Sequence, residues 1–258
     1  MKVFSVCGIK DSGKTTTVEA IISELVRRGY KVGSVKDIHS ENFAIDPVET
    51  TNTNRHKRAG ATLVTARGLF ETDILYPSQL HMDDVLDVYS REGYEWVVLE
   101  GVDCIPIPTI VTAHGSDDLE QKWSDMAIGV SGRIAAEISE HDKKPAIDAT
   151  TDIAKLVDLL ELKVYERLPN FPDECCGACG MNCAKLARAI VAGTKRRADC
   201  VADKGIELLI NGVRIQMVPF VQEILTNAVM GVVGTLRGYE KGADIKIRLA
   251  DSFNIKDE

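Results

Sequence analysis

The stretch Val3-Phe4-Ser5-Val6-Cys7-Gly8-Ile9-Lys10-Asp11-Ser12-Gly13-Lys14-Thr15-Thr16-Thr17 decides the reading of the chain. Val3 to Cys7 is a short apolar run with the length and composition of a buried strand. Gly8 to Thr15 fits the phosphate-binding pattern G-x-x-x-x-G-K-S/T at each fixed position. Glycines at 8 and 13 allow the backbone to turn its N–H groups toward phosphate oxygens. Beyond the loop, Val18, Ile21, Ile22, Leu25 and Val26 recur at helical spacing and form one apolar face. Gly29 is placed to end that helix, and Lys31 to Lys36 has the character of a second strand. Strand, loop, helix, strand begins a mostly parallel α/β sheet, and the helix adds its positive dipole end to the loop. Lys14 is expected to reach the β- and γ-phosphates and the Thr15 hydroxyl to ligate Mg²⁺. Gly8, Asp11, Ser12, Gly13 and Thr16 complete the expected nucleotide-binding set. Lys14 is also the expected catalytic group, stabilising charge on a transferred phosphoryl group; no residue identifies itself as a general base.

Further strands are expected at Thr62–Thr65, Trp96–Leu99, Ile110–Thr112, Ala127–Val130 and Ala146–Ile147, with helices over Met82–Tyr89 and Asp152–Leu160. The polar region from Asn42 to Gly60 has little periodicity and is expected to be a mobile loop over the site. Glu100 ends an apolar run at the carboxyl end of its strand, where open α/β sheets place ligands. It is therefore the candidate second magnesium ligand, although aspartate is commoner there. Leu168 to Asp173 has the composition of a linker. Two β-like runs, Ile206–Ile210 and Val213–Val218, are joined by Asn211-Gly212, a strong hairpin signal. A helix from Pro219 to about Leu236 and a strand at Asp244–Leu249 follow. The expected organisation is a P-loop domain over 1–164, a four-cysteine module over 165–203 and a small β-hairpin–α–β unit over 204–258.

The chain has 258 residues, 45% hydrophobic and 27% charged, which is enough for a sizeable core. A net charge of -8 and a pI near 5.3 argue against non-specific nucleic-acid binding, which needs a basic surface. No apolar run approaches the roughly 20 residues of a membrane helix. The N-terminus runs straight into the phosphate motif, with no room for a signal peptide, so a cytoplasmic protein is expected.

Five of the seven cysteines, Cys175, Cys176, Cys179, Cys183 and Cys200, fall close together, and a reducing cytoplasm makes metal a better explanation than disulfides. Gly177 and Gly180 let the chain wrap closely, and a helix over Ala184–Ala192 would carry it back to Cys200. Cys176, Cys179, Cys183 and Cys200 suit a 4Fe–4S cluster or a tetrahedral zinc. Three close thiols and one remote favour iron–sulfur, because structural zinc sites usually pair two knuckles. Redox thiols and Cys175 as an alternative ligand remain open. Cys7 and Cys104 are expected to pack as small apolar residues.

Residues 1 to about 162 resemble MobB, the molybdopterin-guanine dinucleotide biosynthesis adapter family. The resemblance lies in Gly8–Thr15 followed by Thr16-Thr17, in Lys36-Asp37-Ile38-His39 with Phe43-Ala44-Ile45-Asp46 and Arg55–Ala61, and in Val98-Leu99-Glu100-Gly101. It implies a P-loop GTP-binding protein with weak GTPase activity, using Mg²⁺ held by Thr15 and Glu100. It also implies His39, Asp46 and Arg55 on the nucleotide or partner face. The implied partners are a molybdopterin nucleotidyltransferase and the molybdenum or tungsten enzymes that receive the cofactor, and by analogy a homodimer. Departures are Asp37 and Ser40 around His39, Val48-Glu49 after Pro47, and Val102-Asp103 after Gly101. Residues Cys176–Cys200 resemble the four-cysteine 4Fe–4S domain of RnfB-type electron-transfer proteins and of the corrinoid iron–sulfur protein, with one residue fewer between Cys179 and Cys183. Two other readings stay open: a nucleotide-gated metal or cluster chaperone, and a non-hydrolysing adapter. The sequence contains no Asn-Lys-x-Asp base-reading motif.

Overall fold

The computed structural model describes residues 1–38, 40, 43, 51–171, 176, 177, 179–200, 206–210, 213–215, 217–240, 242, 243 and 245–247. By internal contacts the chain divides into two compact units, Met1–Asn170 with Cys183–Asp199, and Phe171–Asn182 with Cys200–Glu258.

In the first unit the elements run β1 (Lys2–Gly8), α1 (Lys14–Arg27), β2 (Val32–Lys36), α2 (Asn52–Arg58), β3 (Val64–Arg67), β4 (Thr72–Leu75), α3 (Met82–Arg91), β5 (Trp96–Glu100) and β6 (Thr109–Thr112). They continue with α4 (Ser116–Lys122), β7 (Ala127–Ser131), β8 (Glu140–His141), β9 (Lys144–Pro145), α5 (Ile153–Lys163) and α6 (Cys183–Val191). Five strands form one parallel sheet in the order β2-β5-β1-β6-β7. Each residue of β5, β6 and β7 is buried, and their central residues are apolar without alternation, because a parallel sheet is covered on both faces. Ile21 and Leu25 of α1 and Leu156 and Leu160 of α5 are completely buried where the two helices pack. Arg28 ties them together through Glu24 (2.8 Å), Asp158 (2.7 Å) and Glu161 (2.9 Å). Arg27 and Arg28 hold the Glu24 carboxyl down to about 2.

The expected strands near 96, 110 and 127 all enter the sheet. The run expected at Thr62–Thr65 forms β3 instead at Val64–Arg67, outside the main sheet, in an antiparallel ribbon with β4. Ala146–Ile147 forms a single parallel bridge to Val130, closed by Ile147 N donating to Val130 O (2.9 Å). Part of the expected loop before Gly60 is the helix α2, capped by Thr51, whose hydroxyl accepts from Asn54 N (3.2 Å). None of its residues is buried, so no apolar periodicity betrays it.

In the second unit β10 (Leu208–Ile210) and β11 (Val213–Ile215) pair antiparallel with Ile210 opposite Val213, the register expected of a hairpin turning at 211–212. The two turn residues themselves lie outside the described set. Helix α7 (Pro219–Val233) begins on proline, whose fixed φ suits the first turn. The expected strand at Asp244–Leu249 lies partly outside the described residues, and Ile245–Ile247 form no strand.

Candidate functional site

The loop between β1 and α1 lines a cleft of about 910 Å³ at the carboxyl edge of the sheet. Its two fixed glycines have separate causes. A Cβ on Gly8 would lie 2.2 Å from the Thr112 carbonyl oxygen of neighbouring β6, so any larger residue would push the loop off the sheet. Gly13 has φ 98, and a Cβ there would come 3.1 Å from Gly132 Cα. Ser12 is buried; its hydroxyl donates to Ile9 O (2.9 Å) and shares a hydrogen bond with Thr112 Oγ1 (2.7 Å), which fastens the loop to β6. His114, just past β6, bonds through Nε2 to the carbonyl of Asp11 (2.9 Å) and steadies the loop tip.

Lys14 folds back over the loop, donating to Gly8 O (3.1 Å) and to Ile9 O. Burial lowers the pKa of its ammonium, and nearby Glu100 opposes that shift. The Thr15 hydroxyl donates to Glu100 Oε1 (2.7 Å), and Lys36 reaches the same oxygen (3.0 Å). Burial opposes ionisation of Glu100, but Thr15, Lys36 and Lys14 together outweigh it and hold the carboxyl below the usual range. A hydroxyl and a carboxylate side by side are hard oxygen donors, the set that Mg²⁺ takes in phosphate sites.

Gly8, Asp11, Gly13, Lys14, Thr15, Thr16 and Glu100 all line the cleft, while the Ser12 side chain faces inward against β6. His39 and Asp46 lie outside the described residues, and Arg55 is exposed on α2 without lining the cleft. Sequence reasoning missed Lys36, Gly132, Arg133 and Asp148–Thr150, which also line it. Lys36 ends β2 in register with Glu100, a pairing that the strand order sets. The carboxyl end of β7 leads directly into Gly132 and Arg133. Asp148 carried no local signal, because a single bridge to β7 brings it there.

Cys7 is buried as expected, donating to Val102 O (3.0 Å), and burial pushes its thiol up. Cys104 differs: it is exposed, because it follows the strand end rather than lying within it. Cys176, Cys179 and Cys183 are half-buried and Cys200 is buried. Among the described residues no group of three or more His, Cys, Asp or Glu is assembled to hold a metal ion, and Cys175 is not among those residues. The iron–sulfur expectation therefore rests on the spacing of the cysteines.

A parallel sheet with a phosphate loop at the end of its central strand, where Thr15 of α1 meets Glu100 at the end of β5, defines a P-loop nucleotide-binding protein. Residues 3–130 match the family model described as MobB, molybdopterin guanine dinucleotide synthesis protein B. A putative molybdopterin-guanine dinucleotide biosynthesis adapter protein of Methanocaldococcus jannaschii is 28% identical over 253 residues, covering 96% of this chain and 97% of its own length. A probable adapter protein of Bacillus subtilis is 24% identical over 161 residues, covering 62% of this chain and 93% of its own. The crystal structure of Bacillus subtilis MobB is alike in fold, with a TM-score of 0.54 at 23% identity over 65% of this chain and all of that one. Over residues 3–130 the chain is similar to the MobB family, and it shares the P-loop fold of the solved Bacillus subtilis structure. Among the described residues no helix is long and apolar enough to cross a membrane.

Proposed function

We propose that this protein is a GTP-binding accessory factor in molybdenum or tungsten cofactor maturation, assisting formation or delivery of molybdopterin guanine dinucleotide. The observation that supports this most is the Thr15 hydroxyl 2.7 Å from Glu100, beside Lys14 on an intact phosphate loop. The family match to residues 3–130 supports the pathway. In this reading Lys14 leaves the loop carbonyls and pairs with the β- and γ-phosphates, while the loop N–H groups hold the phosphate oxygens. Thr15 and Glu100 hold Mg²⁺, which neutralises phosphate charge when bound. The sequence motif supplies no dedicated general base, so slow hydrolysis is expected, with the protein acting mainly as an adapter for a nucleotidyltransferase and apo-enzymes.

The test is titration of a fluorescent GTP analogue with and without Mg²⁺, followed by phosphate release. Magnesium-dependent saturable binding with turnover far slower than that of a dedicated hydrolase is expected; absence of binding in Mg²⁺ would defeat the reading. The cysteine spacing supports an additional 4Fe–4S centre on Cys176, Cys179, Cys183 and Cys200. Anaerobic purification with iron, sulfide and zinc analysis tests it: about four irons and four sulfides per chain are expected. One zinc without sulfide would replace the cluster with a structural staple.

A further inference from the structure

The chain lacks the usual guanine-reading motif, yet the cleft contains a carboxylate suited to that task. The order of the sheet gives the cleft two chemically different flanks. The phosphate loop sits over central β1. On one flank, β5 and β2 end in Glu100 and Lys36, a charged pair whose carboxylate accepts from the Thr15 hydroxyl. On the nucleotide-binding reading, Thr15 and Glu100 would hold the metal and the terminal phosphate on that flank. The other flank, over β6 and β7, is left for the nucleoside, and there the cleft is lined by Gly132, Arg133 and Asp148–Thr150.

Asp148 is a prepared acceptor on that flank. Ile147 N bonds to Val130 O (2.9 Å), which fixes the segment to the end of β7. Thr150 donates to Asp148 Oδ1 from its backbone N (2.8 Å) and from its hydroxyl (2.7 Å), which orients the carboxylate. Asp152 N bonds to the Asp148 carbonyl (2.9 Å) and closes the turn. Among the described residues Oδ2 has no partner, and Ala149 beside it is buried. A held carboxylate with an unused oxygen matches the Watson–Crick edge of guanine, which presents N1–H and the exocyclic amine as adjacent donors. It opposes adenine, whose N1 is an acceptor and would face the carboxylate lone pairs.

We propose that Asp148 reads the base of the bound nucleotide and makes the cleft select guanine over adenine. This rests on the nucleotide-binding reading above and adds the residue that sets its specificity. Two hydrogen bonds to a charged acceptor are the difference between the bases, so GTP is expected to bind at least about tenfold more tightly than ATP.

The experiment is competition of GTP, ITP, XTP and ATP against a fluorescent GTP analogue in Mg²⁺, on the full chain and on Asp148→Asn. In the unchanged protein, ITP lacks the exocyclic amine and is expected to bind about tenfold more weakly than GTP. In Asp148→Asn, whose amide can donate to the C2 oxygen of xanthine, GTP is expected to weaken about tenfold or more and XTP to strengthen, with ATP within about twofold. Equal binding of GTP, ITP and ATP by the unchanged protein would overturn the assignment even if the variant did not fold. So would an equal loss of GTP and ATP in a folded variant. No binding of any of the four would instead defeat the nucleotide reading itself, and the assignment with it.

Discussion

The two flanks of the phosphate loop are held by different physics. On the β5–β2 side the contacts are ionic and converge on one oxygen: Thr15 and Lys36 both bond Glu100 Oε1, and Lys14 lies close enough to influence its ionisation. On the β6–β7 side they are short neutral bonds and close backbone packing: Ser12 to Thr112, Gly8 under the Thr112 carbonyl, and Gly13 against Gly132. On the proposed reading, the ionic flank would exchange partners when phosphate and metal bind. The neutral flank is arranged not to move. The difference teaches that one loop can be both a rigid template and an adjustable electrostatic site, provided the two demands fall on opposite sides.

The comparison breaks most visibly at Lys14. Lys14→Ala is expected to weaken GTP binding by a hundredfold or more, by removing the cation facing the phosphates, with little change in thermal stability; isothermal titration and a melting curve check both. A smaller effect is expected on the ionic flank from Glu100→Gln. Its magnesium-dependent gain in GTP affinity should fall by about tenfold, while metal-free binding stays nearly constant, as measured by titration with and without chelator. On the neutral flank, Thr112→Val should cost about 1 kcal/mol of stability by denaturant unfolding, because it strips the Ser12 hydroxyl of one partner and leaves the magnesium dependence unchanged. A loss of magnesium dependence in Thr112→Val would show that the flanks are not separable.

The mildest effect is expected away from the cleft, where α1 is tied to α5. Glu24 has its folded pKa lowered to about 2 by Arg27 and Arg28. A carboxyl with a depressed folded pKa stabilises the protein above its unfolded pKa and loses that contribution as pH falls toward the folded value. Glu24→Gln is therefore expected to melt a few degrees below the unchanged protein at neutral pH, with the gap narrowing between about pH 4.5 and 2. Melting curves across that range decide it; a gap independent of pH would mean that packing, not charge, is what Glu24 supplies.

What the sequence determined by itself was the set of groups that must be consecutive to work. The phosphate loop is local chemistry: Gly8, Gly13, Lys14 and Thr15 act through one turn and the first residues of one helix, so their spacing is their geometry. Glu100 was legible for a related reason, since an apolar run that ends in a charge marks the carboxyl edge of a parallel strand. The buried strands were legible because burial on both faces writes a continuous apolar run. Helix α2 was not legible, because a helix with no buried residue leaves no period to read. Only the tertiary structure brought Lys36 to Glu100, Thr112 under Gly8, and Asp148 to the end of the cleft. Those meetings depend on strand order and on one bridge between Val130 and Ala146, and strand order is set by how the whole apolar surface is buried, a quantity no local stretch of sequence contains.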